Sequence, residues 1–146
     1  MSVKKDFLEL LKIARSNVAN NPSIVGKSIK DISWRYLNGL SDEVSEVKSE
    51  LHPNNEIYLV DELSDIIWDY TVLLSVLESG GWIKSAEEVL KHANQKYTER
   101  TPAFLKGSDE LWKKIKNRQK VKLELRHKLK YKNKYNDKDD TIKSHD

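Results

Sequence analysis

An all-α fold is what this sequence predicts, built as a helical bundle around a central antiparallel helix hairpin. Three observations carry that prediction. Apolar residues recur at three- and four-residue spacing over long stretches. The breaks between those stretches hold turn and capping residues. Period-two alternation is scarce, and only five glycines and three prolines interrupt 146 residues.

Five helices are expected. The first covers about residues 3–18, with Phe7, Leu11, Ala14 and Val18 on one stripe, and Asn20, Asn21 and Pro22 end it. The second covers about residues 28–51, on the stripe Ile29, Ile32, Tyr36, Leu37, Leu40, Val44, Val47 and Leu51. His52, Pro53, Asn54 and Asn55 form a turn. The third runs over residues 56–79 and is closed by Gly80 and Gly81. Of its 21 residues 57–77, 14 are apolar or aromatic. They cover more than one face and need neighbours on several sides, so a dimer built around this helix is expected to complete the bundle. The fourth starts at Ser85, with Glu88 in capping-box position, and is expected to end near Tyr97. The fifth begins after Ser108, with Asp109 and Glu110 in its first turn. The domain reading is a helical domain over 1–105, a basic helix over 106–130 and a disordered tail over 131–146, where lysine, asparagine and aspartate replace apolar residues.

The net charge of +3 conceals an asymmetry. Up to Leu105 there are 12 basic and 16 acidic residues; from Lys106 onward there are 14 and 7. An acidic body thus carries a basic tail. Cysteine is absent, which excludes disulfides and thiolate metal sites and fits a cytoplasmic protein. Residues 1–6 are charged and 7–18 amphipathic, so no secretory signal is expected. The longest apolar segment, 57–77, holds Asp61, Glu62, Asp65 and Asp69. Each would cost roughly 2.5–3.5 kcal/mol at mid-membrane, so a membrane span is not expected.

Two acidic pairs carry the chemistry. Glu43 and Glu46 form E-x-x-E on the second helix, and Glu62 and Asp65 form E-x-x-D on the third. Residues three apart share a helix face, so each pair can converge on one point. Either pair alone is also what a solvated acidic face looks like. Their placement is more informative: 46 and 62, and likewise 43 and 65, are centred on position 54, inside the turn. In an antiparallel hairpin Glu46 then lies level with Glu62, and Glu43 with Asp65, roughly 10–16 Å from the turn at about 1.5 Å per residue. Four such carboxylates repel, by roughly 3 kcal/mol for two charges about 5 Å apart at an effective dielectric near 20. Protonation or a cation must relieve this. An all-oxygen donor set favours Mg²⁺, with Mn²⁺ as a substitute. Mg²⁺ commonly takes its remaining ligands from substrate phosphates. Glu50 and Asp69, one turn further along the same faces, either support the ligand carboxylates or are solvated, and solvation is the favoured reading.

Residues 34–104 resemble the MazG-type nucleotide pyrophosphohydrolases. The resemblance is carried by Glu43 and Glu46, and by Glu62, Leu63 and Asp65 as E-L-x-D. It is also carried by Lys96, Arg100 and Pro102 in KYTERTP, and by Trp112, Ile115 and Lys116 in LWKKIK. Ser64 departs from the family's glycine, and Phe104 arrives one residue early. The resemblance implies Mg²⁺-dependent hydrolysis of a nucleoside triphosphate to monophosphate and pyrophosphate by a dimer or higher oligomer. It implies metal binding and catalysis by Glu43, Glu46, Glu62 and Asp65, with Lys96 and Arg100 holding phosphates, Trp112 against the base and Lys116 among the substrate-binding residues. Arginine suits phosphate because it donates in bidentate fashion, and tryptophan is a stacking platform. A metal-activated water and a carboxylate base such as Glu46 both remain open.

Three rival readings accompany this one. The lysine-rich stretch 113–134, with Trp112, Tyr131 and Tyr135, could bind nucleic acid in a salt-dependent manner. The bundle could be a non-catalytic interaction module. A sibling pyrophosphatase, acting on dUTP, dCTP or phosphoribosyl-ATP, would use the same scaffold. Gly26-Lys27-Ser28 resembles the end of a P-loop, but Asn21 stands where its first glycine must be and no strand precedes it. The four histidines show no paired-ligand spacing.

Overall fold

The structure, a computed structural model, describes residues 2–132. Five helices follow one another: α1 (Val3–Asn20), α2 (Ile29–Ser49), α3 (Glu56–Ser79), α4 (Ala86–Leu105) and α5 (Asp109–Tyr131). No strand occurs among the described residues. No helix among them is long and apolar enough to cross a membrane. The expectation of a disordered tail falls, from residue 133 on, outside the described residues.

The helix starts are set by local chemistry. Ser28 Oγ accepts from Asp31 N at 3.3 Å, Ser85 Oγ from Glu88 N at 3.1 Å, and Ser108 Oγ from Leu111 N at 3.1 Å. Each satisfies a donor that the first turn leaves without an intrahelical partner. The loop joining α2 to α3 uses Asn54 at φ 61°, a left-handed conformation that asparagine tolerates better than most residues. Asn55 closes the loop by donating from Nδ2 to Glu50 O at 2.9 Å.

The chain divides into two compact units, one ending at Leu90 and one beginning at Lys91. In the first, α3 packs against both α1 and α2. One apolar cluster joins Ala14, Ile24, Ile32, Val72 and Val76; a second joins Leu11, Leu74 and Ala86. The C-terminal half of α3 is buried on several faces, and this includes Thr71 and Ser75. Their hydroxyls bond back to Ile67 O at 2.6 Å and Thr71 O at 3.0 Å, so neither polar group is left unsatisfied in the core. Arg15 of α1 grips Glu78 of α3 with two 2.9 Å hydrogen bonds, and Glu78 Oε2 also accepts from Ala86 N at 2.8 Å.

The N-terminal half of α3 is different. Ile57, Tyr58, Val60, Leu63 and Ile67 are exposed, as are Trp34, Leu37 and Val44 of α2. The apolar excess noted in the sequence is therefore covered within the chain at one end of α3 and uncovered at the other.

One boundary differs from expectation. The fourth helix passes Tyr97 and continues through Pro102 to Leu105. Proline removes one helical hydrogen bond, but packing outweighs that loss. Arg100 and Ala103, three residues apart on one face, are both buried in the second unit, as is Ile115 of α5. Gly107, at φ 58°, turns the chain from α4 into α5.

Candidate metal centre

Helices α2 and α3 run antiparallel in a register readable at two levels. Glu43 meets Asp65, and one turn away Gly39 meets Asp69. Both pairs are centred on position 54, as the spacing predicts. The second level is close: a Cβ at Gly39 would stand 2.7 Å from Asp69 Oδ2. Glycine lets the two helices approach here despite its cost of about 1 kcal/mol inside a helix.

At the first level, Glu43, Glu62 and Asp65 each bring a carboxylate oxygen within 4.8 Å of the other two. Glu43 and Glu62 are half-buried and Asp65 is exposed, so the cluster opens to solvent on the Asp65 side. Glu46, also exposed, stands outside this trio but is bonded to Glu43.

The electrostatics show the crowding. Glu43 is pushed from the ordinary 4.5 up to about 7. A hydrogen bond shared with Glu46 is the main cause, followed by burial and by the charges of Glu46, Asp65 and Asp69. Glu62 is raised by desolvation and then by Glu46 and Asp65; Asp69 is raised by desolvation and then by Asp65. Such raised values are what carboxylates facing one another without a counter-charge display. Glu43 Oε2 is moreover buried without a hydrogen-bond partner. A buried acceptor with no donor is costly, and a cation would satisfy it. The donor set fits a hard divalent cation bound through oxygen.

Glu50 and Asp69 are not simply solvated, as their position one turn out had suggested. Asp69 lies half-buried against Gly39, and Glu50 accepts from the Asn55 side chain and lies 3.8 Å from His52 Nε2. Helix periodicity places both on the right face but cannot show what the opposite helix or the loop presents to them. The role of Gly39 was not anticipated either. A glycine inside a strongly periodic helix, four residues before Glu43, was the available signal.

The second unit holds the candidate phosphate groups. Lys96, Arg100 and Lys116 line one cavity of about 620 Å³. Arg100 is only 8% exposed. Its Nε donates to Gln119 Oε1 at 2.7 Å, and its guanidinium carbon lies 4.8 Å from the centre of the Trp112 ring. Gln119 is itself held by Lys96 O at 3.2 Å and Glu99 Oε2 at 2.8 Å. Trp112 does not line the cavity; its ring packs on Phe104 at 4.3 Å between centroids. Gln119, a positioning partner for Arg100, has no recognisable sequence signal.

Residues 33–105, half of the chain, match the family model for the MazG nucleotide pyrophosphohydrolase domain. No curated protein and no solved structure gives a significant match to the chain.

Proposed function

This chain belongs to the MazG nucleotide pyrophosphohydrolases, and from that premise we propose that it hydrolyses nucleoside triphosphates, ribo- or deoxyribo-, to the monophosphate and pyrophosphate. The observation that carries this reading is the meeting of Glu43, Glu62 and Asp65 within 4.8 Å, inside the matched segment.

In this reading Glu43, Glu62 and Asp65 hold Mg²⁺, with Mn²⁺ as a substitute. When bound, the cation supplies Lewis-acid polarisation of the phosphoryl oxygens and lowers the pKa of a water. Glu46 has two available roles: completing the ligand set, or taking the proton of the water that attacks a phosphorus of the α–β anhydride. Its exposure and its place outside the trio support the second. The new P–O bond comes from that water, the anhydride P–O bond breaks, and pyrophosphate leaves. Lys96, Arg100 and Lys116 neutralise phosphate charge. With Nε fixed by Gln119, the terminal nitrogens of Arg100 remain to donate in a fork. The base contact is assigned to Trp112 on the family resemblance alone, since its ring packs on Phe104 and Arg100 outside the cavity.

The enzyme is proposed to be cytoplasmic and to work as a homodimer. The exposed apolar side chains of α2 and of the N-terminal half of α3 support the dimer. Sedimentation at micromolar concentration should give twice the 17.0 kDa chain mass, and a monomer there would remove this element.

The reaction is tested by pyrophosphate release from a panel of ribo- and deoxyribonucleoside triphosphates, with Mg²⁺ and with EDTA. Mg²⁺-dependent release of monophosphate and pyrophosphate is the expected outcome. No release from any nucleotide, by folded protein shown to bind Mg²⁺, would overturn the reading.

A further inference from the structure

The cavity in the second unit is lined by far more charge than one nucleotide needs. Residues of both α4 and α5 contribute to it. Besides Lys96, Arg100 and Lys116, its wall contains Lys113, Lys120, Lys122 and Arg126, against a single carboxylate, Glu99. That carboxylate already accepts from Gln119. Among the described residues, none of the seven cations is within salt-bridge distance of a carboxylate, and Lys122 acts on Glu99 only at longer range.

We propose that this groove is a nucleic-acid site, which grips the phosphate backbone of RNA or DNA without reading its sequence.

Charge is the first argument. Seven cations along one concave surface repel one another, and a polyanion seated among them relieves that repulsion while releasing its own counterions. Length is the second. Lys113 to Arg126 cover 13 residue steps of α5, about 20 Å at 1.5 Å per residue. One strand of a duplex, advancing about 3.4 Å along the helix axis per phosphate, would place some six phosphates along that distance. A triphosphate offers three phosphoryl groups and would leave much of the wall unmatched. The third argument excludes a simpler cause. The helix dipole favours cations in the last turn of α5, where Lys128 and Lys130 stand. It gives no reason for Lys113, Lys116, Lys120 and Lys122, which lie further back along the helix.

The geometry also distinguishes the occupant from a lipid surface. A basic helix that lies on a bilayer uses its apolar stripe, here the exposed Val121, Leu125 and Leu129. None of those three lines the groove, to which α5 contributes a single leucine, Leu123, among its cations. The cations of the wall instead form a channel, which suits a thread-like anion better than a plane. No Phe, Tyr or Trp side chain lines the groove, where His92 is the one aromatic ring, so stacking is sparse and little sequence preference should result.

The test is fluorescence anisotropy of the full chain with labelled mixed-sequence 20-mers, single-stranded and duplex, in KCl from 50 to 200 mM and without nucleotide. The expected result is binding to at least one form that weakens with salt. For about five contacted phosphates of a single strand, the slope of log K against log salt should be about −3.5. The exposed triple variant Lys120→Gln, Lys122→Gln, Arg126→Gln should bind at least tenfold more weakly, with a slope flatter by about 2. Its circular dichroism and melting temperature should match those of the wild type. Three outcomes would overturn the proposal: no oligonucleotide binding, salt-insensitive binding, or wild-type affinity in the triple variant. The salt slope of the wild type alone keeps the proposal falsifiable even if the variant is poorly folded.

Discussion

Glu46→Gln and Asp65→Asn should each lower pyrophosphate release by at least a hundredfold, while leaving the protein folded and, in EDTA, no less stable than the wild type. The two halves of this result have one origin. General-base or ligand carboxylates contribute on the order of 10²–10⁴ in rate, and an isosteric amide cannot accept a proton or neutralise a cation as a carboxylate does. Yet each substitution also removes a negative charge from a cluster whose members already repel, as the raised values of Glu43 and Glu62 show. Both side chains are exposed, so no core contact is lost. A damaged fold would lower activity and melting temperature together; the cluster should separate them. Melting in EDTA and a Mg²⁺ titration of activity are the measurements. If Glu46 is the base, Glu46→Gln keeps near-normal Mg²⁺ affinity at greatly reduced turnover, whereas Asp65→Asn weakens the affinity itself. Full activity in either variant would remove the residue from the site.

The hairpin that makes this site was legible because two independent signals agree. The turn residues 52–55 mark where the chain reverses, and the acidic pairs are symmetric about position 54. Helical periodicity then determines which side chains meet, and the structure brings Glu43 to Asp65 and Glu62. What escaped were features that depend on the opposite element. Gly39 matters only because Asp69 lies across from it. Arg100 is held by Gln119, nineteen residues later, through a contact that no periodic pattern encodes. The continuation of α4 past Tyr97 was hidden for the same reason. Pro102 is a local argument for stopping, and the burial of Arg100 and Ala103 is a tertiary argument for continuing. Trp112 shows a further ambiguity. The same large ring can anchor a small core or receive a base, and here it packs on Phe104 and Arg100.

Lowering the pH through about 7 should stabilise the cation-free protein and weaken its hold on Mg²⁺, two opposite trends from one carboxyl group. Glu43 has a folded-state value of about 7 against an ordinary 4.5. Between these values the folded chain binds a proton that the unfolded chain does not. Stability in EDTA therefore rises as pH falls from 8 toward 6, and this contribution is lost again as pH rises through 7. The cation competes for the same oxygens, so each pH unit below about 7 should reduce apparent Mg²⁺ affinity by up to about tenfold, with little change above it. Glu62 and Asp69 are raised too, by desolvation first and then by neighbouring carboxylates. Melting temperatures at pH 6 and 8, with EDTA and with saturating Mg²⁺, check this: the increment from Mg²⁺ should be larger at pH 8. The Arg15–Glu78 pair does not confuse the comparison. Arg15 holds Glu78 below the ordinary range, so its contribution is fully present above 4.5 and is lost only as pH falls below that. Glu43→Gln isolates the contribution of the cluster. The pH trend in EDTA should largely vanish in that variant if Glu43 carries the proton. If the trend persists unchanged, the crowding of charge between α2 and α3 is not what stores it.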